Sequence, residues 1–597
     1  MENLTQNIQK LIRQINQKIT LFFTEREYPT TLSIFRIVLF GYILYFVLNK
    51  YDYSYIELFS NIPKELKFLP GTFGALIEYF LPINKTAILI LHRVLIVTCF
   101  TAMVGFKSRI SALLVVISGF YILGIPQLYG KVNHYHHLLW FASILAASPC
   151  SDFLSVDAIF RAWRQTTPRN IDESYIPSRA YALPLKFVYL LIGIIYFFPG
   201  FWKVRTSGLA WALSENLKFQ LYNKWHSLGG WMPIFRVDEY PILYKLSALG
   251  SLVFEIGFIF IILFPRLRFL AAISGLIFHN MTRLLMRIPF VSLQICYVAF
   301  FDWHNIFCQV GKRIYKQEMH VFYRGNSDVH CKIIAALKTF DIFHQITYIS
   351  TLDNHRVAQY RSNFVGLSNP NLNLAAIVGQ RVWLNFEAYQ VIAIRIPLLW
   401  PFLAPLYVWS LFRRNRHVEP LVVVQQDGVI TPENNCAFDL NQKTIFKNRN
   451  RSLKLIAFVG ACLLFASTLF GAKQYINAWP FACYPTFSKI VSPQRSIVEI
   501  VTSTSEGNLV YFDESNIRQR MSPEKYAALV GRVLASNSQG QEEQSIRLEA
   551  FLKFLVDTNP ELLHVDSISF YRIVVSTVPE DWGKEPMQRN LLLKLDV

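Results

Sequence analysis

The chain has 597 residues, of which 53% are hydrophobic and only 17% are charged, and its formal net charge is +19 at pH 7. This length exceeds one ordinary compact domain, and the low charged fraction argues against a soluble globule and favours a polytopic membrane protein. In a soluble protein the positive charge would suggest nucleic acid as a partner. In a membrane protein an excess of Lys and Arg in cytoplasmic loops explains it better, so we expect the lipid bilayer as the partner and no nucleic acid.

The N-terminal segment and the cysteines exclude two further classes. Residues 1–27 are polar and contain no short apolar core followed by a small-residue cleavage site, so we predict no cleaved signal peptide. The eight cysteines are scattered singly and form no Cys-x-x-Cys pair. That distribution argues against a zinc cluster and against a disulfide-stapled scaffold.

Nine apolar runs are long enough to predict membrane-spanning helices, eight of them in the N-terminal half and one near the C-terminal domain. They lie near residues 31–49, 86–106, 109–128, 134–148, 181–201, 242–264, 267–285, 288–302 and 453–472. The sequence therefore predicts an α-helical membrane domain over residues 31–305, followed by soluble regions and a single later span.

Basic residues are concentrated in alternate loops between these runs, which is the pattern of loops that stay in the cytoplasm. They are Lys10, Arg13, Lys18 and Arg26 before the first run, Lys107 and Arg109 after the second, Arg161, Arg164, Arg169 and Arg179 after the fourth, Arg266 and Arg268 after the sixth, and Lys312, Arg313 and Lys316 after the eighth. The alternation predicts that residues 1–30 are cytoplasmic. The last span, 453–472, then places residues 475–597 on the opposite side.

Two regions have the patterns of soluble domains. Residues 318–412 begin with a strand at 320–323, a helix at 329–340 and a second strand at 346–349, which is a βαβ start. Residues 396–412 are apolar but interrupted by prolines, which indicates a helix resting on the membrane. A basic cytoplasmic segment follows at 413–452. The C-terminal region mixes strand patterns (496–501, 509–512, 568–574) with helix patterns (523–536, 544–557), which predicts a small α+β domain.

Three histidines, His134, His136 and His137, open the fourth apolar run. In the predicted topology they lie at the extracytoplasmic face, at the depth of His279 in the seventh run. A metal site needs at least three converging ligands, which so short a run does not supply, so we predict no metal. At helical spacing His134 and His137 share one face and His136 points away. We therefore expect His136 to be an ordinary interfacial histidine and leave His137 open.

Lys203 ends the fifth run and has two interpretations. A lysine at a helix end is usually an interface anchor. Here the aromatic and glycine-rich surroundings, from Trp202 to Trp211, could desolvate the amine and favour its neutral form, which would make it a usable base. Glu255 lies in the middle of the sixth run. An acid at that depth needs a buried partner such as Arg36 or Arg93, and we expect a structural pair of Glu255 and Arg36.

Several of these residues occur in motifs that resemble a known family. Asn133-His-Tyr-His136 followed by Ser155-Val-Asp157 resembles the Asn-His-x-Tyr…Ser-Val-Asp signature of vitamin K-dependent gamma-glutamyl carboxylases and their bacterial relatives, the HTTM proteins. His136 stands where that signature has Tyr. Further matches, in the family's order over about residues 28–305, are Gly105-Phe-Lys-Ser-Arg109, Tyr196-Phe-Phe-Pro-Gly-Phe-Trp-Lys203, Gly208-Leu-Ala-Trp211 and Phe278-His279.

The resemblance implies a chemistry and a set of roles. In the carboxylase, the lysine of that helix end deprotonates vitamin K hydroquinone, reaction with O2 gives a strong base that abstracts a glutamate γ-proton, and CO2 adds to the carbanion. Carried over, Lys203 and His134 are the expected catalytic residues. The expected quinone- or substrate-binding residues are His279, Asn133, Tyr135, Trp202, Trp211 and Arg283. A reduced quinone is the implied cofactor, and the bacterial inner (plasma) membrane is the implied location. The carboxylase's large substrate-binding domain is not evident here.

Residues 318–412 resemble a second family, the DCC family of thioredoxin-like proteins, whose strand is followed by an Asp-Gly-x-Cys-x-x-Cys loop and a helix. Here Arg324 replaces the Asp, Ser327 replaces the first Cys and His330 the second, and only Cys331 lies nearby. Disulfide exchange needs an attacking thiolate and usually a resolving thiol. The resemblance therefore implies a degenerate domain that is redox-inactive or uses Cys331 alone.

Three functions fit these observations. The first is a quinone-dependent, carboxylase-like membrane enzyme that modifies a secreted peptide or a small substrate at its outer face. The second is a non-catalytic maturation or export factor for a secreted peptide, with the C-terminal domain binding the peptide. The third is a transporter, which only the intramembrane charges support, since the sequence shows no inverted repeats.

Overall fold

The structure, a computed structural model, describes most of the chain. The described residues are 2–67, 83–129, 132–133, 135–164, 176–353, 357, 373–400, 442–476, 478–482, 487–503, 509–511, 514, 517, 521–534 and 541–596. Two segments with sequence-based predictions lie outside them, the membrane-resting helix over 401–412 and the basic segment over 413–441.

The described residues contain the following α-helices, given in chain order. They are α1 (Glu2–Thr24), α2 (Pro29–Asn49), α3 (Tyr53–Ser60), α4 (Lys85–Val104), α5 (Ser108–Gly124), α6 (His136–Ala147), α7 (Val156–Arg164), α8 (Arg179–Ser207), α9 (Ala210–Leu213), α10 (Asn216–Ser227), α11 (Pro241–Ile261), α12 (Arg268–Met286), α13 (Val291–Gln294), α14 (Trp303–Ile314), α15 (Asp328–Lys338), α16 (Asn385–Arg395), α17 (Gln442–Ala472), α18 (Pro523–Leu534) and α19 (Gln541–Thr558).

Seven helical segments of the described chain are long and apolar enough to cross a membrane. They are Pro29–Asn49, Lys85–Val104, Ser108–Leu128, Arg179–Ser207, Pro241–Ile261, Pro265–Met286 and Ser452–Ala472. Their outer faces carry exposed apolar side chains, such as Val253, Ile277 and Phe465, which lipid would cover. The protein is therefore an integral membrane protein, and seven of the nine expected spans are confirmed.

The other two expected spans, 134–148 and 288–302, are wrong as full-length helices. Helix α6 has only 12 residues, about 18 Å of helix against a hydrocarbon core of about 30 Å. The second segment divides into the short α13 and a 3₁₀ turn over Ile295–Phe300. Both runs are apolar because they lie inside the helical bundle, where Leu138, Phe141 and Cys296 are fully buried. Hydropathy alone does not distinguish lipid from protein interior.

The basic loops meet at one end of the bundle, here named the inner end. The Glu25 carboxylate accepts hydrogen bonds from Arg268 at 2.8 and 2.9 Å and pairs with Lys186. Residues Glu27 and Ser178 form a β-bridge. These contacts join the N-terminal segment to the loops before α8 and α12. The side of the membrane that this end faces stays a prediction.

A four-stranded sheet packs on the inner end. Its strands are β1 (Met319–Tyr323), β2 (Ile346–Ser350), β3 (Leu374–Val378) and β4 (Arg381–Leu384), in the order β2-β1-β3-β4. Strand β1 is parallel to β2 and antiparallel to β3, which confirms the βαβ start. The sheet domain meets the bundle at His344, whose ring lies 4.5 Å from that of His304. Membership of the DCC family stays a prediction.

A second four-stranded sheet lies at the opposite end, here named the outer end. It is antiparallel, in the order β6-β5-β7-β8, with β5 (Gln494–Ser503), β6 (Leu509–Tyr511), β7 (Ser567–Ser576) and β8 (Gln588–Asp596). Lys525 Nζ donates to Pro126 O at 2.6 Å, and Asn223 Nδ2 donates to Ser492 O at 3.2 Å. These bonds fix the C-terminal α+β unit to the outer ends of α5 and α10.

One junction at the inner end explains two of the quoted motifs. Gly105 ends α4 with φ +77°, and a Cβ there would lie 2.4 Å from Ser155 Cβ and 2.8 Å from Arg36 Nη1. The Asp157 carboxylate accepts from the N–H groups of Lys107 and Ser108 at 2.8 Å each, which caps the start of α5. The Gly105–Arg109 and Ser155–Asp157 motifs therefore form one packed corner.

Arg36 belongs to this corner and not to Glu255, which corrects the expected structural pair. The buried guanidinium donates to Cys150 O at 2.9 Å and to Leu154 O. Two carbonyls at the end of α6 are satisfied in this way, so the arginine ties α2 to the loop that follows α6.

We predict that the two sheets lie on opposite sides of the membrane. In a background in which Cys308, Cys436, Cys462 and Cys483 are replaced by Ala, a membrane-impermeant maleimide applied to intact cells should label Met587→Cys and not Leu352→Cys, both of which are exposed positions. Permeabilised cells should show labelling at both positions. Equal labelling of the two cysteines in intact cells would contradict this topology.

Gly105→Ala should destabilise the protein by more than about 1 kcal/mol, because the left-handed backbone and the contact with Ser155 both oppose a Cβ. Thermal unfolding in detergent measures this effect. Gly250→Ala in α11 is the matched control, since no atom lies within 4 Å of its added Cβ. A melting temperature unchanged by Gly105→Ala would show that the corner is looser than described.

Candidate functional site

A cavity of about 180 Å³ lies in the outer half of the bundle, between α8, α11, α12 and α17. Its aromatic lining residues are Trp140, Tyr196, Phe198, Trp211, Phe278, Phe290, Phe481 and Phe487. Its polar lining residues are His136, His137, Lys203, Gln220, Ser251, Glu255, His279, Thr282, Ser292 and Ser467. The structure thus brings Lys203 and His279 into one cavity, while their roles stay predictions.

Lys203 and Glu255 form a buried ion pair in the cavity wall. The Lys203 Nζ donates to the two carboxylate oxygens of Glu255 at 2.6 and 2.8 Å, and the two residues are 4% and 5% exposed. The ammonium also lies 4.6 Å from the centre of the Trp211 ring, within the range of a cation–π contact. A lysine held in this way is not an interface anchor, because it points inward and not to the membrane surface.

The pair depends on a close approach of α8 and α11. Gly200 lies one turn before Lys203, and a Cβ there would be 2.9 Å from Glu255 Cβ and 2.9 Å from Ile256 Cγ1. With no side chain at Gly200, the two helices pack close enough for Lys203 to reach the carboxylate. The sequence offered one signal for this pair, since a lysine and an acid both within apolar runs need each other as partners.

His279 lies deeper in the bundle, among aromatic rings. Its Nε2 is 2.5 Å from the hydroxyl of Tyr196, which also contacts the hydroxyl of Tyr297. The ring is 2% exposed and lies next to Phe278 and Phe290. Sequence reasoning did not single out Tyr196 or Tyr297. The spacing of seven residues between Tyr196 and Lys203 was the available signal, since it places both on one face of α8.

The histidines at the start of the fourth apolar run are placed differently from the prediction for His136. His136 lines the cavity, with its ring 4.8 Å from that of Trp140 and 3% of its surface exposed, so it is not an interfacial residue that points away. His137 also lines the cavity, and its Nε2 is 3.0 Å from Ser292 O. Helix α6 begins only at His136, so the helical spacing used for the prediction does not extend back to His134. His134 itself lies outside the described residues.

The segment after the last span completes the cavity wall. Two indoles donate to backbone carbonyls of this segment, Trp140 to Pro480 O at 3.0 Å and Trp211 to Phe487 O at 2.6 Å. A third, Trp202, donates to Gly471 O at 3.0 Å in the last turn of α17. Phe481 and Phe487 then close the site from the outer end. The apolar wall is therefore built by both halves of the chain.

The remaining expected binding residues lie around the cavity and not in its lining. Asn133 donates its backbone N–H to Gln127 Oε1 at 2.6 Å, and Tyr135 packs on the rings of Phe46 and Tyr51. The Trp202 indole donates to Gly471 O in the last turn of α17, as described above. Arg283 is exposed. Among the expected binding residues that are described, only His279 and Trp211 line the cavity.

The candidate redox residue, Cys331, is buried in the inner sheet domain. It is 4% exposed, and burial raises the pKa of the Cys331 thiol, which disfavours the reactive thiolate. The two positions that the resemblance assigns to cysteines, Ser327 and His330, are hydrogen-bonded to each other at 2.7 Å. Within the described ranges, no three His, Cys, Asp or Glu side chains are placed to hold a metal ion.

Comparison with known families gives one match. The family model of the HTTM domain matches residues 25–304, a little under half of the chain. This match contains Lys203, Glu255 and His279 but not the segment 467–487 that completes the cavity. No curated protein and no solved structure matches the chain.

Cys331→Ser should leave activity and abundance in the membrane nearly unchanged, because a buried thiol without a second cysteine nearby cannot run a disulfide cycle. Turnover of the variant, normalised to its abundance in the membrane, measures this. A folded, abundant Cys331→Ser protein that has lost activity would show that the thiol is functional.

Proposed function

We propose that this protein, whose residues 25–304 form an HTTM domain, is a membrane enzyme resembling vitamin K-dependent gamma-glutamyl carboxylase. It uses a reduced quinone in the outer cavity to modify a secreted peptide or a small substrate. The observation that carries the proposal is the buried Lys203–Glu255 pair, which opens onto an apolar, aromatic-walled cavity.

The cavity fits an aromatic ring that carries polar atoms at its ends. Its volume of about 180 Å³ compares with the roughly 150 Å³ of apolar cavities that hold a benzene ring. Apolar atoms form most of the wall, and eight aromatic side chains are among the lining residues, as in ligand pockets in general. Lys203 and Glu255 from α8 and α11 supply one polar group, and His279 from α12 supplies another. A quinone ring with two oxygens matches that distribution.

The Lys203–Glu255 pair supplies a proton acceptor away from bulk water. When the two residues are an ion pair, the Glu255 carboxylate accepts the proton. When the Lys203 amine is neutral, Nζ accepts it. The two groups share their protons over 2.6–2.8 Å, so the acceptor is the pair and not one partner alone. Trp211 and the two phenylalanines of the C-terminal segment exclude water, which strengthens the electrostatic interaction with a bound hydroxyl.

A bound hydroquinone would contribute the acidic hydroxyl and the reaction with O2 that the family resemblance implies, with CO2 as the further co-substrate. The protein's own contribution is to orient the ring between His279 and Lys203 and to hold the departing proton. The secreted substrate would approach from the outer end, where the C-terminal domain packs on α10. The C-terminal unit is therefore the part of the chain best placed to bind it.

The alternative of a maturation factor without catalysis has one observation in its favour, the position of the C-terminal sheet beside the outer opening of the bundle. Such a factor would bind a secreted peptide without needing the Lys203–Glu255 pair. The variants below separate the two functions, because only the enzyme depends on the pair.

Lys203→Met should abolish quinone-dependent modification. The measurement is mass spectrometry of co-expressed secreted peptides for an added carboxyl group, with and without a supplied reduced quinone. Removing the lysine also leaves Glu255 buried without a counterion, which costs about 3–5 kcal/mol. The double variant Lys203→Met/Glu255→Gln should restore stability and remain inactive.

Lys186→Met is the matched control, because Lys186 is also a buried lysine of α8 paired with a glutamate, Glu25, but at the inner end outside the cavity. This variant should retain activity in proportion to its abundance. Wild-type activity in the Lys203→Met protein would contradict the proposed function. Loss of peptide maturation without any change in peptide mass would favour the non-catalytic factor.

A further inference from the structure

A chain of three hydrogen-bonded side chains ends at the cavity. Tyr297 contacts Tyr196, and Tyr196 contacts His279 Nε2 at 2.5 Å. These residues come from the turn after α13, from α8 and from α12, and each is less than 5% exposed. The other ring nitrogen of His279, Nδ1, is buried in the cavity wall without a hydrogen-bond partner among the described residues. A buried polar atom of this kind calls for a partner that the protein does not supply.

The number of protons available on Tyr297, Tyr196 and His279 favours one direction of hydrogen-bond donation. Each tyrosine has one hydroxyl proton to donate, and a neutral imidazole has one N–H and one acceptor nitrogen. If Tyr297 donates to Tyr196 and Tyr196 donates to His279 Nε2, both hydroxyl protons are used. His279 then carries its proton on Nδ1, and the single donor left over faces the cavity.

The opposite direction of donation leaves the Tyr297 hydroxyl as a buried donor with no acceptor among the described residues. If His279 Nε2 donates to Tyr196 and Tyr196 donates to Tyr297, the proton of Tyr297 has no acceptor among the described residues. That hydroxyl packs against Gly275, where an added Cβ would be only 2.2 Å from the oxygen, so there is no room for water on that side. A buried donor without an acceptor destabilises the folded protein, which disfavours this direction.

We propose that Tyr196 and Tyr297 are positioning residues that fix His279 as the Nδ1–H tautomer. His279 thereby presents an N–H donor to an acceptor oxygen of the ligand in the cavity. The identity of that oxygen rests on the proposed function, in which it is one of the two oxygens of a quinone. Tyr196 and Lys203 are seven residues apart on α8, about 10 Å along its axis, so one ligand oxygen faces His279 while the other faces the Lys203–Glu255 pair.

The tautomer can be measured without any ligand. Solid-state ¹⁵N NMR of histidine-labelled protein in lipid, with His279→Gln to assign the signal among the 13 histidines, should show His279 protonated on Nδ1. Tyr196→Phe removes the donor and should return His279 to an Nε2–H form or a mixture. Tyr297→Phe should leave Nδ1–H in place, because Tyr196 still donates. Nε2–H in the wild type would overturn the proposal.

Tyr189→Phe is the matched control. Tyr189 is a buried tyrosine of the same helix whose hydroxyl donates to Ala299 O at 2.7 Å, and it does not line the cavity. Its loss should leave the His279 signal unchanged. A Tyr189→Phe protein with the same tautomer change as Tyr196→Phe would attribute the effect to general loosening of α8 and contradict the proposal.

A quinone-binding experiment tests whether His279 donates its N–H to the ligand. Carbonyl-¹³C 2-methyl-1,4-naphthoquinone bound to wild-type protein should show one carbonyl stretch lowered by a hydrogen bond, and His279→Leu, which has no donor, should lose that shift. Tyr196→Phe should weaken binding by roughly tenfold. If the quinone does not bind at all, the proposed function fails while the NMR result still decides the tautomer. If it binds without a shifted carbonyl, the recognition by His279 is wrong.

Discussion

The ion pair of Lys203 and Glu255 is the constraint on which the site depends. Two charges buried inside a membrane helical bundle are tolerated only as close partners. A single unpaired charge there would lower the stability of the folded protein by several kcal/mol. Their contact requires α8 and α11 to approach at Gly200, and that approach closes one side of the cavity. The pair therefore fixes the packing of two helices and provides the proton-accepting group of the proposed chemistry in the same place.

The cavity is a joint product of the HTTM domain and the chain that follows it. The family match ends at residue 304, yet Phe481 and Phe487 close the outer side of the site. Indole N–H groups of residues 25–304 hold this segment through backbone carbonyls, and the Phe481 ring stacks on Trp140. A different segment at this place would change the shape of the cavity without changing the ion pair, which is one route by which related domains could accept different ligands.

The motifs that resemble those of the carboxylases lie at two different depths in the bundle. Gly105–Arg109 and Ser155–Asp157 build the packed corner at the inner end, where a glycine and a capping carboxylate hold α4, α5 and α7 together. Tyr196–Lys203 and Phe278–His279 lie at the cavity in the outer half. The first set explains how the bundle holds its shape, and the second set holds the side chains on which the proposed reaction depends.

The sequence by itself determined the membrane class, seven of the spans, the grouping of the basic loops and the βαβ start, because these follow from local hydropathy, charge and periodicity. It did not reveal that α6 and the 291–300 segment are buried short helices, since a run of apolar residues suits lipid and protein interior equally. Only the tertiary structure decided the partner of Glu255, the place of His136 in the cavity and the contact of Tyr196 with His279. Those outcomes depend on which helices approach closely, and that is set by long-range packing at Gly200 and Gly275, which no local pattern records.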